Sequence, residues 1–165
     1  MKDRITLRAE EPDDAEFLYE VYASTRAEEI ALTGWSEGDA EQFLRSQLAL
    51  QSHHYHTYFP ESSFDIVLDG GERVGRLYVE RKSKAIIIHD IALIPAARGK
   101  GIGSHLLSEI ISDADASGLP VQIFVEQHNP ARNLYARLGF RAAELDGIYY
   151  LMERLPLGVI PESRY

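Results

Sequence analysis

Three glycines at alternate positions, Gly99, Gly101 and Gly103, stand between an apolar run and a helical pattern in Ile91-Ala-Leu-Ile-Pro-Ala-Ala-Arg-Gly-Lys-Gly-Ile-Gly-Ser104. Glycine lets backbone N–H groups come close to a ligand, and a helix N-terminus offers unpaired donors with partial positive charge. Together these features make a phosphate cradle. Arg98 and Lys100 add cationic side chains to a chain of net charge −9. A P-loop needs Lys-Ser/Thr directly after its last glycine, and none follows here. A dinucleotide fingerprint needs Gly-x-Gly-x-x-Gly early in a strand–helix–strand unit. This turn is Gly-x-Gly-x-Gly and comes after a run of strands.

Other polar residues stand where apolar ones are the rule. His89 and Asp90 interrupt the apolar run 85–94, and Glu126 follows the run Val121–Val125. Strand alternation sends His89 and Asp90 to opposite faces, so one of them sees any given cleft. His53 and His56 lie at i, i+3 spacing with no carboxylate or fourth ligand at metal-site spacing, so no metal is expected. Residues 10–41 hold eleven Asp or Glu and one base, Arg26. Such a run reads either as solvated helix faces or as a rim that attracts a cationic amine.

The elements that position these groups follow from periodicity. Arg4–Ala9 alternates as a first strand, Pro12 opens a helix, and Phe17, Leu18, Val21 and Tyr22 carry it through about Ser24. A second helix begins near Asp39, with Phe43, Leu44, Leu48 and Gln51 inward, and ends among His53, His54 and His56. Phe64–Leu68 and Val74–Glu80 form a hairpin across Asp69-Gly70-Gly71, with Gly75 a bulge or close-approach site. Ala85–Ile94 is the strand that feeds the glycine turn. Ile102, Leu106, Leu107, Ile110, Ile111 and Ala114 then mark an amphipathic helix stopped by Gly118 and Pro120. Val121–Val125 reads as a strand buried on both faces. A short helix over Pro130–Leu138 and strands over Phe140–Leu145 and Ile148–Glu153, joined by Asp146-Gly147, complete the chain. This order makes a mixed-sheet α/β domain with helices on both faces.

The 165 residues, 45% hydrophobic and 26% charged, suit one globular domain. The acidic balance argues against nucleic acid as a partner. No apolar run reaches the ~18 residues of a membrane span, and no apolar signal core follows Met1-Lys2. With no cysteine, thiolate ligands and cysteine nucleophiles are excluded, and a reducing cytoplasm is the simplest compartment. The apolar segment Pro156-Leu-Gly-Val-Ile-Pro161 can pack on a second subunit, as in a homodimer, or cover its own sheet edge.

Two segments resemble the GNAT family of N-acetyltransferases. Arg98-Gly-Lys-Gly101-Ile-Gly103 is similar to that family's Arg/Gln-x-x-Gly-x-Gly/Ala motif, and the strand and Pro95 precede it as they do there. Asn129-Pro-Ala-Arg-Asn-Leu-Tyr135-Ala-Arg-Leu-Gly-Phe140 is similar to the second signature, Asn, Ala, Leu-Tyr and Gly-Phe. Asn129 is six residues before Tyr135, and His128 holds the seventh place where the family often has Asn. The resemblance implies one N-acetyltransferase domain over 1–165, with a mostly antiparallel central sheet of about six to seven strands. It implies acetyl-CoA as co-substrate, its pyrophosphate held by backbone N–H groups of Gly99, Lys100, Gly101, Ile102, Gly103 and Ser104, with Arg98 adding charge. The pantetheine arm would lie along Ile91, Ala92 and Leu93 and reach Asn129, past a point where two strands part. Tyr135 would be the general acid for the leaving thiolate, and Asp90 is favoured over His89 and Glu126 as base. The acceptor is then a primary amine, with the helices before the second strand as its wall. A longer acyl group, an amino-acid acceptor, or a CoA-binding module without turnover remain open readings.

Overall fold

A computed structural model of the chain describes residues 3–126, 129–146 and 149–159. Met1, Lys2, His128, Gly147, Ile148, Ile160 and Pro161, each part of an expectation above, lie outside the described residues.

Four α-helices and seven strands alternate among the described residues: β1 (Ile5–Ala9), α1 (Ala15–Ala31), α2 (Glu37–Tyr58), β2 (Ser63–Asp69), β3 (Glu72–Arg81) and β4 (Ile86–Leu93), then α3 (Ile102–Ser117), β5 (Val121–Glu126), α4 (Arg132–Arg137), β6 (Arg141–Asp146) and β7 (Tyr149–Arg154). The strands form one open sheet in the order β1-β2-β3-β4-β5-β7-β6. β4 and β5 are parallel, whereas β1–β2, β5–β7 and β6–β7 are antiparallel. The expected fold class therefore holds, with seven strands.

The chain divides into two compact units, Met1–Tyr78 with Ile91–Lys100, and Val79–Asp90 with Gly101–Tyr165. In the first unit, Phe17, Val21 and Ile66 form a core on which Leu18, Leu68, Ala92 and Ile94 pack. α1 runs seven residues past Ser24, because the apolar period stops there while Arg26 and Glu29 pair at 3.1 Å along its exposed face. α2 starts at Glu37, where Ser36 Oγ accepts the Asp39 N–H and two acids lie in the first turn. Asp14 is the most buried acid of the N-terminal run. Arg8 donates to both its oxygens at 2.7 and 2.8 Å, and Arg73 Nη1 and the Glu11 N–H complete the set. The Arg8 bonds, first, hold its carboxyl well below the usual carboxylate range.

In the second unit, α3 buries Ile102, Leu106, Leu107, Ile110 and Ala114 on one stripe, and Gly118 ends it at φ +69°. Val121, Ile123 and Val125 are buried, but Phe124 is 46% exposed, so β5 buries one face and not two. Arg154 binds Asp115 through two oxygens and the Leu138 carbonyl through Nε, joining β7 to α3 and to the end of α4. Pro156 is buried and the Leu157 N–H donates to Asp115, while Leu157 and Val159 stay exposed.

Candidate functional site

The glycine turn has the conformation its composition suggests. Gly99 and Gly101 lie at φ +73° and +84°, where a side chain is strained, and Arg98 and Lys100 between and before them have negative φ. Arg98 is extended, at φ −76° and ψ 155°, so the chain leaves strand geometry at Gly99. Gly101 is also the residue before α3, and the ladder starts with the His105 N–H on its carbonyl. Gly101 has no side chain to cap this helix, which leaves the first-turn N–H groups to water or a ligand. Gly103 differs from the other two. Its φ is not positive, and a Cβ added there would meet no atom within 4 Å. Neither backbone strain nor packing requires glycine at Gly103.

Within the first unit, Arg98 braces the strand that enters this turn. Its Nε donates to the Leu93 carbonyl at 3.0 Å and its Nη2 to Ser24 Oγ at 3.1 Å. Ser24 carried no signal in the sequence, since its partner lies 74 residues away. Lys100 is exposed. Ile91, Ala92 and Leu93 are half-buried. Gly75 is the close-approach site: a Cβ there would overlap the Ala92 carbonyl oxygen and come within 2.7 Å of Leu93 Cδ2. The β4–β5 ladder covers only Ile86–Ile88 against Val121–Ile123, although β4 continues to Leu93 and β5 to Glu126.

Within the second unit, Tyr135 is 5% exposed on α4, its ring tilted toward Phe140 at 6.0 Å between centroids. Burial, first, and then the Asp90 carboxylate push its phenol up to about 12. Tyr135 and Asp90 thus share one electrostatic neighbourhood. His89 is committed elsewhere, its Nε2 lying 3.1 Å from Glu80 Oε1 with both side chains buried. The sequence reading missed Glu80. Its signal is the polar alternation Arg76, Tyr78, Glu80 along one face of β3, all three buried. Asn129 Oδ1 accepts the Ala131 N–H at 2.9 Å, a turn that delays α4 from Pro130 to Arg132. Glu126 lies at the end of β5, paired in register with Tyr149.

Much of the acidic run is engaged inside the first unit. Asp14 is buried among arginines, Arg45 joins Glu16 and Glu41, and Glu10 accepts from Tyr78 Oη. His53 and His56 lie on α2, and no group of three or more metal-binding side chains converges among the described residues. No described helix is long and apolar enough to cross a membrane.

The glycine turn, the mixed sheet and the Tyr135 helix are features of one class of protein. The sequence model of the Acetyltransferase (GNAT) family matches residues 17–140, and the chain belongs to that family. Its fold is similar to that of PaiA N-acetyltransferase from Thermoplasma acidophilum in complex with coenzyme A. Identity there is 22%, over 92% of this chain and 98% of that one, at a TM-score of 0.66. An acetyltransferase from Thermus thermophilus is 22% identical over 92% and 97% of the two chains, at 0.64. Ard1 from Thermoplasma volcanium is 24% identical over 93% and 99%, at 0.59.

Proposed function

We propose that the chain works as one acetyl-CoA-dependent N-acetyltransferase domain that passes an acetyl group directly to a primary amine in a ternary complex. The observation that carries this reading is Gly103, a glycine that its own backbone and packing do not require, beside two left-handed glycines and an uncapped helix start. The donor set is right for a pyrophosphate: oriented amides and a helix dipole favour the anion without a dedicated cationic side chain.

Acetyl-CoA supplies the activated acyl group, a thioester that a neutral amine can attack. The turn from Gly99 to Ser104 holds its phosphates, Ile91–Leu93 and Asn129 align its arm, and a backbone N–H of that strand stabilises the developing oxyanion. Asp90 takes the proton the amine must lose. Tyr135 serves the leaving sulfur. An ordinary thiol has a pKa of about 8.5, so complete transfer from a phenol near 12 is uphill. The main work of Tyr135 is therefore to donate a hydrogen bond to the sulfur as the carbon–sulfur bond breaks, the proton balance being closed by the amine. Arg98 holds the strand and turn in register through Leu93 and Ser24.

The alternative reading is an acyl-CoA-binding module with no turnover. Free-thiol release over a panel of amines, peptides and amino acids separates the two. The enzyme reading expects release with at least one acceptor, and firm acetyl-CoA binding without release from any acceptor would leave the module.

A further inference from the structure

The helix that carries Tyr135 is too short to hold its own direction. α4 spans six residues, and isolated helices below about 12–15 residues are marginal in water. Of those six, Tyr135 alone is buried. A cavity of about 480 Å³ runs along the helix, lined by Asn133, Ala136, Phe140, Ala142 and Met152 among others. Close packing therefore does not restrain α4 on that side. Its firmest restraints act at its two ends. At the first, Asn129 Oδ1 accepts the Ala131 N–H, and the Arg132 guanidinium lies 4.5 Å from the centre of the Tyr150 ring. At the second stands Arg154, from the end of β7.

Arg154 joins that end to a firm base. Its Nε donates at 3.1 Å to the Leu138 carbonyl, one of the groups a helix C-terminus leaves unpaired. Its Nη1 and Nη2 hold Asp115 at 2.9 and 3.2 Å, on the long helix α3 that buries five apolar residues. The Arg154 hydrogen bond keeps the Asp115 carboxyl below its usual range, so the pair stays charged. Gly139, at φ +95°, turns the chain against the same side chain, and a Cβ there would lie 3.5 Å from Arg154 Nε. From Leu138 to Tyr135 is one turn. The Leu138 and Phe140 N–H groups both donate to the Tyr135 carbonyl, at 3.1 and 3.0 Å, and the Phe140 ring packs on that of Tyr135. We propose that Arg154 is a positioning residue for Tyr135: braced on Asp115, it fixes the end of α4 and through it the direction of the phenol. Lysine cannot replace it, because a point charge does not hold a carboxylate and a carbonyl in one planar fork. The consequence for turnover rests on the acetyl-transfer reading, whereas the consequence for the tyrosine ring does not.

Arg154→Lys keeps a charge beside Asp115 and removes the fork. In protein labelled with fluorotyrosine, the fluorine NMR resonance missing from Tyr135→Phe belongs to Tyr135, and in Arg154→Lys it should move or split. With an amine acceptor, the same variant should lower kcat about tenfold and leave the KM for acetyl-CoA within about twofold. In the Tyr135→Phe background it should change kcat by less than about twofold, since an arginine that acts through the phenol has nothing left to position. Asp115→Asn removes the brace without touching α4; it should move the same resonance and carries the test should Arg154→Lys not fold. An unmoved Tyr135 resonance, or an equal fall in kcat with and without the Tyr135 hydroxyl, would overturn the proposal. Should no amine turn over, the acetyl-transfer reading falls, and the resonance alone still upholds or overturns the positioning.

Discussion

Replacing Gly103 with alanine adds one methyl group at the second residue of α3, where the backbone is already helical and the space above it is open. For the protein alone the change is favourable. Alanine lowers the entropy of the unfolded chain and fits the native conformation, which stabilises by about 0.4–1 kcal/mol. In a domain of this length Tm should then rise by about 1–4 °C. For a bound pyrophosphate the same methyl occupies the line of approach to the helix amides. Loss of one charge-assisted hydrogen bond costs about 1.5–3 kcal/mol, so the Kd for acetyl-CoA should rise about 10- to 100-fold. Differential scanning fluorimetry and calorimetric titration read the two effects separately. A stabilised variant that binds acetyl-CoA as tightly as wild type would refute the role given to Gly103. Gly99→Ala is the contrast: its φ of +73° makes alanine cost about 1–2 kcal/mol, so that variant should lose stability as well as affinity.

Tyr135→Phe should lower kcat about 100-fold while leaving the Kd for acetyl-CoA within about twofold, measured by steady-state kinetics and calorimetry. Because the phenol stays protonated up to about 12, the kcat–pH profile should show no loss from its ionisation at about pH 10, and a limb there would contradict the burial assigned to it. Gly75→Ala forces a methyl into the Ala92 carbonyl and should destabilise by about 1–3 kcal/mol; an unchanged Tm would remove the close approach. Asp14 is held below the usual carboxylate range in the fold, so its contribution is present above pH about 4 and is lost as pH falls further. Asp14→Asn should cost about 3 kcal/mol at pH 7 and flatten the acid limb of the stability curve, as urea titrations across pH will read.

The glycine turn, the amphipathic α3 and the succession of strands were legible because each depends on neighbours within one or two turns of chain. Tyr135 and Asp90 were legible as residue types, and their electrostatic coupling was not, since 45 positions of sequence separate them. Long-range polar partnerships are where local patterns stop informing. Asp14 looked like one of many surface acids until Arg8 and Arg73 were brought to it by β1 and β3. Glu80 looked like a strand end, and its partner His89 looked like a candidate base. The polar face of β3 follows the same logic, with Arg76 reaching Gln51 and Tyr78 reaching Glu10 across 25 and 68 residues. Phe124 misled in the other direction, an apolar residue in an apolar run that still faces outward.

Titration of acetyl-CoA into the protein tests the central claim most directly. One saturable site per chain with a Kd in the micromolar range is the predicted result; no saturable binding at millimolar acetyl-CoA would contradict the account.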